Sequence, residues 1–109
     1  MSEVTAKSYS LRTEDGQWLG QVVLTSDGMF SSVTDYGNLS YAWRSYRDGQ
    51  FEEFILGLNI EYFGSKLQNG LSYIAHSNKT RSACLRFAEK ILPALKIEIM
   101  KQRDNLCQE

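Results

Sequence analysis

Three glycine-bearing turns, Asp15-Gly16, Asp27-Gly28 and Tyr36-Gly37-Asn38, divide the start of the chain into short segments that leave no room for a long helix. Glycine reaches positive φ without steric cost, and Asp and Asn favour turn geometry, so such pairs close hairpins. Between the turns the pattern has a period of two. Tyr9 and Leu11 alternate with polar neighbours. In the next run Trp18, Gly20, Val22 and Leu24 are expected on one face, with Leu19, Gln21, Val23 and Thr25 on the other. Met29 to Thr34 reads as a third strand. Leu39, Tyr41 and Trp43 alternate with Ser40, Ala42 and Arg44 on a fourth. Short strands joined in this way form an antiparallel meander.

The period changes at Asp48. Phe51, Phe54, Ile55 and Leu58 follow the spacing of one helical stripe. Asp48 is placed to cap that helix, and Glu52 and Glu53 suit the positive end of its dipole. Gly57 or Asn59 is expected to interrupt it. A further helical segment runs from Glu61 to Leu67, with Tyr62, Phe63 and Leu67 inward and Asn69-Gly70 as its stop. Leu71 to Ala75 fits a short strand or an irregular connector equally well. The last helix has Asn78 as its cap, and its stripe is Cys84, Phe87, Ala88, Ile91, Leu92, Leu95 and Ile99. Pro93 lies inside that stripe. Its ring removes a backbone donor and clashes with the preceding turn, so a kink or a two-part helix is expected there.

Strands followed by helices give an α+β class: a four-stranded antiparallel meander with helices packed on one face. The 109 residues are expected to form one domain. The meander spans about residues 7–47, a helical segment 48–68, and the long last helix 78–104, kinked near Pro93. The other sheet face is left to solvent or to a partner, and an uncovered face or edge is compatible with a homodimer.

Charge and residue type then narrow the function. The formal net charge is −1, so no bulk electrostatic force draws the chain toward DNA or a membrane. No apolar run resembles a signal peptide or reaches the 18 or so residues that cross a bilayer, and the expected location is the cytoplasm. Cys84 and Cys107 have no companion ligands at metal spacing, so neither a disulfide framework nor a metal or cofactor site is expected. His76 is the sole histidine. Pairing it with Cys84 is the one conceivable nucleophilic dyad, against which stands the ordinary reading of Cys84 as a buried apolar residue. Glu52 and Glu53 diverge on a helix and do not converge as an acid–base pair. No glycine-rich phosphate loop is present. The expectation is a protein without enzymatic activity.

Two binding readings remain. Lys79, Arg86 and Lys90 share a face of the last helix, and Lys96 and Arg103 are a heptad apart. These five could contact phosphates of a nucleic acid, or they could be a solvated face with Glu89 and Glu98 interleaved. The second reading is a protein-binding surface. Tyr36, Tyr41, Trp43, Arg44, Tyr46 and Arg47 cluster near the junction of strand and helix. Tyr, Trp and Arg dominate interface hot spots because they join large contact area to a polar handle. The competing reading places the alternating Leu39, Tyr41 and Trp43 in the core.

The stretch TSDGMFSSVTDYGNLSYAWRS, followed by FEEFILGLNIEYFGSKL, resembles a pattern in small accessory proteins of tailed bacteriophages and prophages. There a strand, an Asp-aromatic-Gly-Asn turn and a Tyr-x-Trp strand precede a helix with periodic Phe, Leu and Tyr positions. The resemblance covers about residues 24–67, and Arg44 stands where many such sequences carry glycine. It implies a phage origin and a protein that binds and modulates a host protein. Defence nucleases, including CRISPR complexes, and transcription or replication factors are the typical targets it implies, which makes an anti-CRISPR type of inhibitor one expected form.

Overall fold

The glycines of all three turns adopt positive φ: 85° at Gly16, 95° at Gly28 and 125° at Gly37. In the computed structural model, which describes residues 4–43, 50–69, 71 and 78–107 (side chains as far as 103), they join four strands. These are β1 (Ala6–Arg12), β2 (Trp18–Thr25), β3 (Met29–Thr34) and β4 (Ser40–Ala42). The sheet has the order β1-β2-β3-β4, every neighbour antiparallel. Three helices follow: α1 (Phe51–Leu56), α2 (Ile60–Asn69) and α3 (Asn78–Cys107). The fold is therefore the expected α+β meander with helices after it.

The helices cover the sheet face that carries Tyr9, Leu11, Val22, Leu24 and Phe30, all buried. These side chains join Trp43, Phe51, Ile55, Phe63, Leu67 and the stripe of α3 from Phe87 to Ile99 in one core. Phe30 ties the two layers together. Its ring meets Phe63 of α2 at 5.2 Å and Phe87 of α3 at 6.4 Å, both edge-on, a geometry that satisfies the quadrupoles of both rings. Burial of each such phenyl ring contributes about 2–3 kcal/mol.

Several local expectations are corrected. Leu19 is buried and Trp18 is exposed, the reverse of simple alternation. The pairing register shifts between Leu11 and Arg12, whose partners are Gly20 and Trp18. Leu19 is the extra residue of a β-bulge, and it turns inward beside Gly20 while Trp18 moves to the outer face. Tyr62 also points outward, with the Lys66 ammonium 5.5 Å from its ring centre. Of the two expected interruptions, Gly57 ends α1 as its C-cap, and Asn59 instead begins α2: its Oδ1 accepts the Tyr62 N–H at 2.8 Å. Gln50, not Asp48, is the residue before α1, and it makes no side-chain cap bond.

α3 runs through Pro93 as a single helix. Pro93 lies on the solvent side, where water can satisfy the carbonyl one turn back that loses its N–H partner. Buried residues before it (Phe87, Ala88, Ile91) and after it (Leu95, Ile99) stay in phase and hold both halves to the sheet. Asp48, Gly70 and most of the 71–75 connector lie outside the described residues.

Candidate partner-binding surface

The β1–β2 hairpin, the bulge and the β3–β4 turn meet at one end of the sheet. The hairpin loop is closed by Thr13, whose N–H donates to the Gln17 carbonyl at 2.9 Å and whose carbonyl accepts the Gly16 N–H at 2.9 Å. Arg12 Nη1 donates to the Gly16 carbonyl at 3.1 Å, which holds the guanidinium against the loop. Arg12 faces Trp18 across the ladder on the outer side of the sheet, and Trp18 is 42% exposed.

The bulge also fixes the next turn. The carbonyl of Leu19 accepts the Asp35 N–H at 3.2 Å. Gly20 pairs with Thr34, where a Cβ on Gly20 would come within 2.6 Å of Thr34 Cγ2. Thr34 can pack there because Gly20 has no side chain. Its hydroxyl donates to the Gly37 carbonyl at 2.7 Å and accepts the Tyr36 N–H at 3.0 Å, while its own N–H donates to Asn38 Oδ1 at 3.2 Å. Tyr36 is thereby presented, 41% exposed, on a turn with little freedom. It lines a groove of about 840 Å³ between the hairpin and α3, floored by Leu19, Pro93, Ala94 and Ile97. The rim carries Arg12, Lys90 and Lys101 against Glu14, Glu89 and Glu98.

The outer sheet face continues from this end without a covering element among the described residues. Its side chains are small and neutral: Ala6, Ser8 and Ser10 on β1, Gln21, Val23 and Thr25 on β2, Met29, Ser31 and Val33 on β3, Ser40 and Ala42 on β4. Val33 is 57% and Met29 46% exposed. Arg12 is the one charged residue among the described outward positions of the strands.

The sequence-predicted site residues separate. Tyr36 is exposed as described. Tyr41 is half-buried against the core, and its ring meets Trp43 at 4.7 Å. Trp43 is 6% exposed and stacks parallel to Phe63, with ring centres 6.1 Å apart. A ring held there presents no surface to a partner, so for Trp43 the core reading replaces the surface reading. Arg44, Tyr46 and Arg47 lie outside the described residues. Sequence reasoning missed Trp18, which strict alternation sends inward. The adjacent apolar pair Trp18-Leu19 beside a glycine was the available sign, since a regular strand cannot bury both neighbours on one face.

Of the five basic residues, Lys79, Arg86 and Lys90 are exposed on α3. The Lys96 ammonium donates to the Leu58 carbonyl. Arg103 Nη1 pairs with Glu53 Oε1 at 2.6 Å. Two of the five thus hold α3 to the α1–α2 region, and they are not part of a free basic face.

His76 lies outside the described residues. Cys84 is buried, and that burial pushes its thiol pKa up, which disfavours the reactive thiolate. Tyr9 is pushed up to about 12, first by burial and then by the nearby Glu52 charge; its neutral ring belongs to the core. Among the described residues no group of three or more His, Cys, Asp or Glu side chains could hold a metal ion, and no helix is long and apolar enough to cross a membrane.

Geometry defines the class: a two-layer α+β domain with one sheet face uncovered among the described residues and a Trp–Arg–Tyr group exposed at its hairpin end. A protein-family model described as a phage family matches residues 1–105, and the chain belongs to that family. No curated protein and no solved structure matches it.

Proposed function

We propose that this phage-family chain is a non-enzymatic accessory protein that binds and modulates a host protein, with inhibition of a defence complex of the CRISPR type as one form of that activity. The observation that carries the reading is the exposed group Arg12, Trp18 and Tyr36. Arg12 is held to the Gly16 carbonyl, Tyr36 stands on a hydrogen-bonded turn and Trp18 on the bulged strand, and all three adjoin a sheet face with almost no charge among the described residues. Such residues lose little conformational freedom on docking and offer large contact area with a polar end, the combination that concentrates binding energy. Tyr36 belongs to the surface expected from sequence. Arg12 and Trp18 take the place in it that Trp43 leaves by turning into the core.

The test compares wild type with a Trp18→Ala/Tyr36→Ala double variant. Affinity capture from the bacterial host identifies a candidate partner, and calorimetry with that purified partner measures the affinity. The double variant is expected to keep its circular dichroism spectrum and to bind at least about tenfold more weakly, since truncating two hot-spot aromatics typically costs more than about 1 kcal/mol each. Equal affinity of a folded double variant would place the binding surface elsewhere.

A further inference from the structure

We infer that the open edge of β1 pairs with β1 of a second copy, antiparallel and centred on Tyr9, to join two sheets into one. The phase of the ladder is set at both ends of β1. The Ser26 N–H donates to the Thr5 carbonyl at 2.8 Å, and the Thr13 N–H donates to the Gln17 carbonyl at 2.9 Å. Odd-numbered residues therefore bond toward β2. Ala6, Ser8, Ser10 and Arg12 turn their N–H and C=O groups to the outer edge, because the two sides alternate along an antiparallel strand.

Among the described residues no strand pairs with that edge, and its guards are few: the inward-facing Lys7 and, at its end, Arg12. Natural edge strands are short, proline-bearing, bulged or protected by lysine. β4, at the other edge, is three residues long. β1 has seven and no proline. The bulge lies on β2, at the far end of the ladder. Its one lysine, Lys7, is drawn toward α1, with Nζ 3.4 Å from Glu52 Oε2. Beneath the edge lie two grooves, one lined by Lys7, Tyr9, Ile99 and Arg103, the other by Ser10, Arg12, Ile97 and Lys101. A strand added at this edge would lie over both grooves.

Charge points to a second copy as the occupant. With the two-fold axis at Tyr9, Ser8 faces Ser10 of the other copy, Ala6 faces Arg12, and Lys7 faces Leu11. No like charges meet, and the four bonded pairs supply about eight hydrogen bonds. The rim of the larger groove, with three cations and three carboxylates, also carries no net charge to repel its own copy.

Sedimentation equilibrium from low to high micromolar concentration tests this. Wild type is expected to be a dimer at the upper end. Ser8→Lys with Ser10→Lys places lysines opposite each other twice and is expected to raise the dissociation constant about tenfold, with an unchanged circular dichroism spectrum. Ser8→Lys with Ser10→Glu places opposite charges at the same contacts and is expected to stay dimeric. A wild type that is monomeric throughout overturns the proposal, including the case in which a host peptide takes the edge instead. So does a Lys/Lys variant as dimeric as wild type, or a Lys/Glu variant as weak as the Lys/Lys one. The Trp18 and Tyr36 surface has a separate readout, binding to another protein, so failure of either proposal is told apart from failure of the other.

Discussion

Gly20 is where local sterics and the candidate surface meet. It sits opposite Thr34, and a methyl group there would lie 2.6 Å from one Thr34 side-chain atom and 2.8 Å from another. Neither is the end of a long flexible chain, and Thr34 is held by the Gly37 carbonyl and the Tyr36 N–H. Gly20→Ala must therefore move the β3–β4 turn or the strand itself. Its expected cost is about 1–3 kcal/mol, the range for overpacking a well-filled site, measured as a lower midpoint in urea. The same displacement is expected to weaken partner binding through Tyr36, although Gly20 has no side chain to touch a partner. A stability unchanged to within about 0.5 kcal/mol would show that Thr34 can yield without loss. The sequence did not disclose this dependence. Gly20 reads there as one position of an alternating strand, and its close approach to Thr34 depends on the β2–β3 register.

Elements were legible wherever one period ran uninterrupted. The four strands lie between the three glycine turns because a turn that needs positive φ leaves the chain few alternatives. The stripe of α3 was readable for the same reason. The failures fall where two rules compete. At Trp18-Leu19 the bulge overrides alternation, since the core gains more by taking Leu19 beside Gly20 than by keeping the pleat regular. At Pro93 packing on both sides keeps one continuous helix, so the two-part alternative falls. At Asn59 the sequence shows only an interruption, whereas the residue opens α2 after Gly57 has closed α1. That last case carries a prediction for α2. Asn59 Oδ1 accepts the Tyr62 N–H at 2.8 Å, and the Asn59 carbonyl accepts the Phe63 N–H at 3.0 Å. Asn59→Ala removes the first bond and leaves the second, so a loss of about 1 kcal/mol is expected. Asn59→Asp keeps the acceptor and should retain most of the stability, which thermal unfolding of both variants will show. An equal loss in both would assign the effect to the α1–α2 connection and not to the cap.

For the whole molecule, the deciding quantity is where charge resides. The extents of 47, 41 and 20 Å describe a slab two layers thick, with the sheet as one face and the helices as the other. The helical side carries Lys79, Arg86 and Lys90 in the open, whereas the sheet side has Arg12 as its one charged strand residue among those described. The two binding readings therefore differ in their response to salt. Contacts to phosphates release counterions, so nucleic-acid affinity falls steeply as salt rises. Docking through the Trp18 and Tyr36 end buries mainly neutral surface, and screening alters it little. Raising sodium chloride from about 50 to 200 mM is expected to change affinity for the host partner less than about threefold, since at most one or two exposed ion pairs are screened. Reversing Lys79, Arg86 and Lys90 to glutamate should leave that affinity unchanged, while Trp18→Ala with Tyr36→Ala lowers it. A tenfold or greater loss for wild type over the salt range, together with a comparable loss already at low salt in the charge-reversed variant, would move the interface to α3. The remaining exposed cations would then be the residues to pursue.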